Sequence, residues 1–175
     1  MILTIDVGNT NTTFGCFDED GALVFESRIS TDIYRMQDQY AVSLADILRL
    51  YDIDRESVSG AVLSSVVPPV TAQIKPAVEK ICKCRVMTVG PGLKTGLNIK
   101  IDEPASLGAD IAAVAVGAKE YYALPAIVVD LGTATKVLAV DKTGAFIGGI
   151  IAPGLKISAE ALSAKTAALP LVGVS

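Results

Sequence analysis

Asp6 and Asp130 each close an apolar run, and each stands two residues before a glycine. The segments are Ile5-Asp6-Val7-Gly8-Asn9-Thr10-Asn11-Thr12 and Val129-Asp130-Leu131-Gly132-Thr133-Ala134-Thr135, and the two aspartates are 124 residues apart. A carboxylate at the C-terminal end of a strand can hold a hydrated Mg²⁺. Gly8 and Gly132 allow tight turns and let a phosphate approach the backbone. Asn9, Thr10, Asn11, Thr12 and Thr13 add amide and hydroxyl groups for phosphate oxygens after the first turn, as do Thr133 and Thr135 after the second. A single turn of this kind reads better as a hairpin with an Asx turn. Two copies with matched flanks point to two related half-units, whose turns would make a nucleotide cleft if they faced each other. The flanks do match: Phe17-Asp18-Glu19-Asp20-Gly21 answers to Val140-Asp141-Lys142-Thr143-Gly144.

Other residues carry weaker signals. Asp110 follows Gly108 in the first turn of a predicted helix. It could stabilise that N-terminus, or act as a general base on a hydroxyl that attacks a γ-phosphate. Lys136 could touch phosphate, although a solvated strand residue is the plainer reading. Ser64-Ser65-Val66-Val67-Pro68-Pro69 is a strand-to-helix turn with hydroxyls at its tip, a place where ligand crevices often form in α/β folds. Gly148-Gly149 through Pro153-Gly154 points to close backbone approach around a strand.

Composition narrows the chemistry. The chain has no His, which excludes Ser-His-Asp and Cys-His hydrolase sites and leaves acid–base work to Asp, Glu, Lys or Tyr. The three cysteines, Cys16, Cys82 and Cys84, lack the spacing of a zinc site and fit a reducing cytoplasm. A net charge of -4 without a basic run argues against nucleic acid. The first residues lack the basic region of a signal peptide, and no apolar run reaches membrane-spanning length.

The elements that must position these residues follow from periodicity. Strands are predicted at 2–7, 12–18, 22–29, 60–63 and 85–89, with helices over 36–50 and from the Pro68-Pro69 pair to about 81. Residues 90–105, rich in Gly, Pro and charge, read as a surface loop that could line a cleft. A helix over 107–122 leads to strands 126–131, 134–140 and 145–151 and a helix from about 155 to 167. The order is βββαβαβα and then βββα. That makes a first half at 1–122 and the start of a second at 123–175. The apolar end, Leu169-Pro170-Leu171-Val172-Gly173-Val174-Ser175, resembles a cut point, so the second half is expected to be incomplete.

The ordered set of motifs resembles the type III pantothenate kinases of the actin-like ATPase and sugar-kinase superfamily. It comprises Asp6-Val7-Gly8-Asn9-Thr10, Ser64 to Pro69, Gly108-Ala109-Asp110, Asp130 to Thr135 and Gly148 to Gly154, with Thr31-Asp32 and Asp38-Gln39-Tyr40 between. The resemblance implies an α/β, actin-like (ribonuclease H-like) duplicated fold. It also implies ATP-dependent phosphorylation of pantothenate, the first step of coenzyme A biosynthesis, by a cytoplasmic homodimer. Asp6, Val7, Gly8, Asn9, Thr10, Asn11, Thr12 and Thr13 would hold ATP phosphates, with Mg²⁺ at Asp6. Gly132 and Thr133 would also contact ATP, and Asp130 would bind a monovalent cation, K⁺ or NH₄⁺. Asp110 would be the catalytic base, with Ile101, Gly108, Ala109 and Ile111 around the substrate. The chain departs from the family at two of these positions. Ile111 stands where the family has Arg, and Ile101 where it usually has an aromatic residue. An apolar side chain cannot replace the guanidinium's fork of donors. A non-catalytic relative that keeps the phosphate turns, or a kinase for another small alcohol, are the alternative readings.

Overall fold

The computed structural model of the chain describes residues 1–166 and Pro170. Apart from Pro170, the apolar end expected to be a cut point lies outside the described residues. The described chain packs as two compact units. Met1–Leu93 with Gly108–Asp110 forms one, and Lys94–Leu107 with the chain from Ile111 onward forms the other.

The first unit is built on β1 (Ile2–Val7), β2 (Asn11–Phe17), β3 (Leu23–Ser30), β4 (Gly60–Ser65) and β5 (Arg85–Thr88). Their order across the sheet is β3-β2-β1-β4-β5. β1 pairs antiparallel with β2 and parallel with β4, so it lies at the centre. Alternation explains its place. Leu3, Ile5 and Val7 point to one face and are buried, whereas Ile2, Thr4 and Asp6 point to the other. The apolar face is covered by α1 (Gln37–Leu50) and α2 (Pro68–Cys82), which bring Tyr40, Leu44, Leu48, Val70, Ile74 and Val78 into one core with Phe14 and Leu63. Burying each large aliphatic side chain contributes about 1.5–3 kcal/mol. α2 begins at Pro68 itself, because a residue in the first turn needs no amide partner. Ser65 secures the entry: its Oγ accepts from the Val67 amide at 3.1 Å and from the Thr71 hydroxyl at 2.7 Å.

In the second unit β6 (Ala126–Leu131), β7 (Ala134–Val140) and β8 (Phe146–Pro153) form an antiparallel sheet in the order β6-β7-β8. Helix α3 (Ala109–Tyr121) packs Ala115 and Ala118 against Leu138, Val140 and Phe146, and α4 (Leu155–Lys165) follows β8. The segment 94–101 is not a free surface loop. Ile99 bridges Phe146 in parallel, the Lys100 amide donates to the Phe146 carbonyl at 2.8 Å, and Leu97, Ile99 and Ile101 pack on the second core. Apolar residues hidden among glycines and charges make it an added strip along β8.

The order βββαβαβα followed by βββα is observed, and the duplication extends to fine detail. Gly21 and Gly144 both adopt left-handed backbone, with φ of 78° and 79°. Asp18 Oδ1 accepts from the amides of Asp20 and Ala22, as Asp141 Oδ1 does from those of Thr143 and Ala145. Both second strands shift register at their ends, at Cys16/Phe17 and at Ala139/Val140. Among the described residues no helix is long and apolar enough to cross a membrane.

The Thr143 hydroxyl, then the Ala145 and Thr143 amides and Lys100, hold the Asp141 carboxyl well below the usual carboxylate range. A depressed folded value means that this stabilisation is complete above the unfolded pKa, about 4, and is lost as pH falls below it. The melting temperature of the native chain is therefore expected to fall more steeply between about pH 4 and pH 2 than that of Asp141→Asn. Parallel acid profiles would remove the role.

Candidate functional site

The end of β1 delivers Asp6 to the sheet face opposite α1 and α2. Asp6 is exposed there, in register with Thr13 on β2 and Ser64 on β4. A carboxylate and two hydroxyls thus share one row. Ser64 is 7% exposed, and its Oγ has no hydrogen-bond partner among the described residues. An all-oxygen set with one carboxylate and an unsatisfied hydroxyl suits a hard divalent cation that keeps several waters, so Mg²⁺ fits these residues. No group of three or more His, Cys, Asp or Glu able to hold a metal occurs among the described residues. Such a cation would therefore rely on water and phosphate for its other ligands.

Within the turn, the Gly8 amide donates to the Asn11 carbonyl at 2.9 Å, which closes the hairpin tip. A Cβ on Gly8 would sit 3.2 Å from that same carbonyl oxygen, a tight contact that the turn could take only by shifting. Asn9, Thr10 and Asn11 are exposed and Thr13 is half-buried. Two residues expected among the phosphate ligands lie elsewhere. The Val7 side chain is in the core, and its carbonyl accepts from the Val66 amide at 3.0 Å. Thr12 is 0% exposed, with its hydroxyl 2.9 Å from that of Thr31. Strand alternation decides this: Thr12 faces inward with Val7, and Thr13 faces outward with Asp6.

Thr31 emerges as the organiser of the turn. Its hydroxyl donates to the Gly8 carbonyl at 2.7 Å, and its amide donates to the Thr10 carbonyl at 2.9 Å. Because its one hydroxyl proton goes to Gly8, Thr12 must donate to Thr31. The sequence placed Thr31 in a motif without showing what it does. Thr31→Val is expected to cost about 2–3 kcal/mol in urea unfolding, because it frees the Gly8 carbonyl and leaves the Thr12 hydroxyl unsatisfied. Adding Thr12→Val should cost less than the same change in the native background. Full additivity would show that the two hydroxyls do not depend on each other.

The second turn is one residue tighter. Leu131 pairs with Thr135 across it, whereas Val7 pairs with Thr12. The Gly132 amide donates to the Ala134 carbonyl at 3.1 Å, and Gly132 and Thr133 are exposed. Gly154 packs against this turn, and its amide donates to the Thr133 carbonyl at 3.1 Å. A Cβ there would collide with the Gly132 and Thr133 backbone. Close approach in the Gly148–Gly154 segment is thus real, and it supports the turn. Thr135 lies beyond the turn, paired with Ala152 on β8.

Asp130 faces Lys136 across β6 and β7, and Lys136 Nζ donates to Asp130 Oδ2 at 2.7 Å. Lys136 is not a solvated strand residue, since its side chain is 19% exposed. The monovalent cation expected at Asp130 therefore meets a carboxylate already paired with a cation of the chain itself. These residues do not fit that ion.

Asp110 is half-buried in the first turn of α3, where the helix dipole favours a carboxylate. Gly108, Ala109 and Asp110 pack with the first unit. Ile101 and Ile111 are half-buried against the second core, so their apolar character is explained by packing.

These features can be compared with known proteins. The profile of the family described as type III pantothenate kinase matches residues 2–175. A type III pantothenate kinase of Halalkalibacterium halodurans is 42% identical over the whole chain, which covers 68% of that relative. One from Listeria welshimeri is 41% identical, also over the whole chain, with 67% of the relative covered. The chain thus spans about two thirds of the length of these relatives. Solved structures agree on the fold. The ethanolamine utilization protein EutJ from Carboxydothermus hydrogenoformans superposes with a TM-score of 0.50 at 18% identity, over 97% of this chain and 57% of that one. The activator of 2-hydroxyisocaproyl-CoA dehydratase from Clostridium difficile, with bound ADPNP, gives 0.54 at 12% identity, over 87% of this chain and 45% of that one. The fold is that of the actin-like ATPases and sugar kinases. With duplicated Asp-x-Gly turns on that fold and a family match across the chain, this protein belongs to the type III pantothenate kinase family.

Proposed function

We propose that this chain is an ATP-dependent kinase that transfers the γ-phosphoryl group to the primary hydroxyl of pantothenate, in the first step of coenzyme A biosynthesis. The observation that carries the reading is family membership across residues 2–175, joined to an Asp6 turn with an all-oxygen row. Gly8, Asn9, Thr10, Asn11 and Thr13 bind ATP phosphates, and Gly132 and Thr133 contribute from the second turn. Val7 acts through its place in the core and Thr12 through its bond to Thr31. Asp6 would hold Mg²⁺, which would offset phosphate charge when bound. Asp110 takes the proton of the acceptor hydroxyl, and Gly108 and Ala109 let the acceptor approach the start of α3. The protein works in the cytoplasm as a homodimer, as the family resemblance implies.

The test is ADP release from ATP and Mg²⁺ with and without pantothenate, together with calorimetric titration of the nucleotide. Pantothenate-dependent ADP release establishes the kinase. Nucleotide binding without turnover would replace it with a non-catalytic relative that keeps the fold. One observation favours a further reading: Ile111, half-buried on the second core, stands where the family resemblance implies an Arg that holds the acceptor. Turnover of another primary alcohol, with none of pantothenate, would support a less polar substrate.

A further inference from the structure

The two turns place different residue types at one register position. Before the turns, corresponding residues are 124 apart, as Asp6 and Asp130 are; beyond them they are 123 apart, as Gly21 and Gly144 are. The one-residue contraction of the second turn therefore makes Lys136 the counterpart of Thr13. Register confirms the match, for Asp6 pairs with Thr13 and Asp130 pairs with Lys136. At the same structural position Asp6 stands in register with a threonine and Asp130 with a lysine whose ammonium reaches it at 2.7 Å.

We propose that Lys136 is a tethered cation for Asp130, so that the second turn is neutralised by the chain itself and takes no K⁺ or NH₄⁺. A lysine ammonium carries the same charge and the same N–H donors as a free ammonium ion. Its tether makes the pairing intramolecular, which raises its effective concentration at Asp130. The side chain is 19% exposed, and Lys136 stands in register between Asp130 on β6 and Ile151 on β8. A second monovalent cation at the same carboxylate would be repelled by the first. The shorter turn is what brings a lysine to this register position. With the spacing of the first turn, Val137 would stand there instead.

What the cation serves rests on the phosphoryl-transfer reading above; its identity as Lys136 does not. The experiment accordingly has one arm without nucleotide. The 175-residue chain and Lys136→Thr, which restores the first half's hydroxyl, are melted in KCl, NH₄Cl and tetramethylammonium chloride at equal ionic strength. The native chain should be indifferent to the cation. The variant should melt about 2–4 °C higher in K⁺ or NH₄⁺ than in tetramethylammonium, as expected for linked ion binding. In the second arm, calorimetric Mg·ATP affinity should be independent of K⁺ for the native chain and should rise on the order of tenfold with K⁺ for the variant. Lys136→Arg should behave like the native chain.

Native melting or binding that depends on K⁺ would overturn the proposal. So would a variant that loses nucleotide equally in every salt, because Lys136 would then be a phosphate ligand. If Lys136→Thr does not fold, Lys136→Met and the native chain carry the same comparison. If nothing binds nucleotide, the kinase reading falls, while the melting arm still decides the role of Lys136.

Discussion

Asp110→Asn is expected to reduce kcat for pantothenate phosphorylation by about 10²–10⁴-fold, the usual contribution of a positioned general base. Asparagine has almost the same shape but cannot accept the hydroxyl proton. Nucleotide affinity should change little, because the phosphate contacts proposed above come from other residues. Asp110 occupies the first turn of α3, where loss of its charge costs about 0.3–1 kcal/mol against the helix dipole. Steady-state kinetics with calorimetric ATP titration separates the two roles. Full turnover with lowered stability would leave Asp110 as a helix-stabilising residue only.

Gly154→Ala is expected to have the largest structural effect of any single methyl group in the second unit. The added Cβ would strike the carbonyls of Gly132 and Thr133, which belong to the backbone and cannot rotate away as a flexible side chain would. Either the turn or the start of α4 must move, at a cost of about 3 kcal/mol. That corresponds to a melting-temperature drop of about 6–12 °C for a chain of this size. ATP affinity should fall with it, since Thr133 is displaced. Gly92→Ala supplies a contrast: its φ is 91°, but among the described residues nothing lies within 4 Å of its Cβ, so any cost there is conformational and ATP affinity should be unchanged. An unchanged melting temperature for Gly154→Ala would show that the turn can yield, and would remove Gly154 from the support of the site.

Much of this was legible in the residues. The strand ends at Asp6 and Asp130, the acidic turns with Gly21 and Gly144, and the order βββαβαβα then βββα all follow from local rules. Alternation marks the strands, glycine marks positive φ, and apolar spacing marks α1 and α2. Those rules act over a few residues, so a linear reading recovers them. It also recovered the family, because the motifs occur in a fixed order along the chain.

The tertiary structure decided which side chains those turns make available. Thr12 and Thr13 are neighbours of one type, yet pairing with β1 buries the first and leaves the second beside Asp6. Thr31 reaches Gly8 only because β3 lies next to β2. Lys136 meets Asp130 because the second turn is one residue shorter, and the pairing of β6 with β7 brings the two side chains together. Segment 94–101 became a strip on β8 because its few apolar residues found the second core. In each case the deciding interaction joins residues distant in sequence, and only the register of one strand on another sets the face and the partner. The sequence by itself determined that two carboxylate turns exist; strand pairing determined that one carboxylate shares a row with Thr13 and Ser64 while the other meets Lys136.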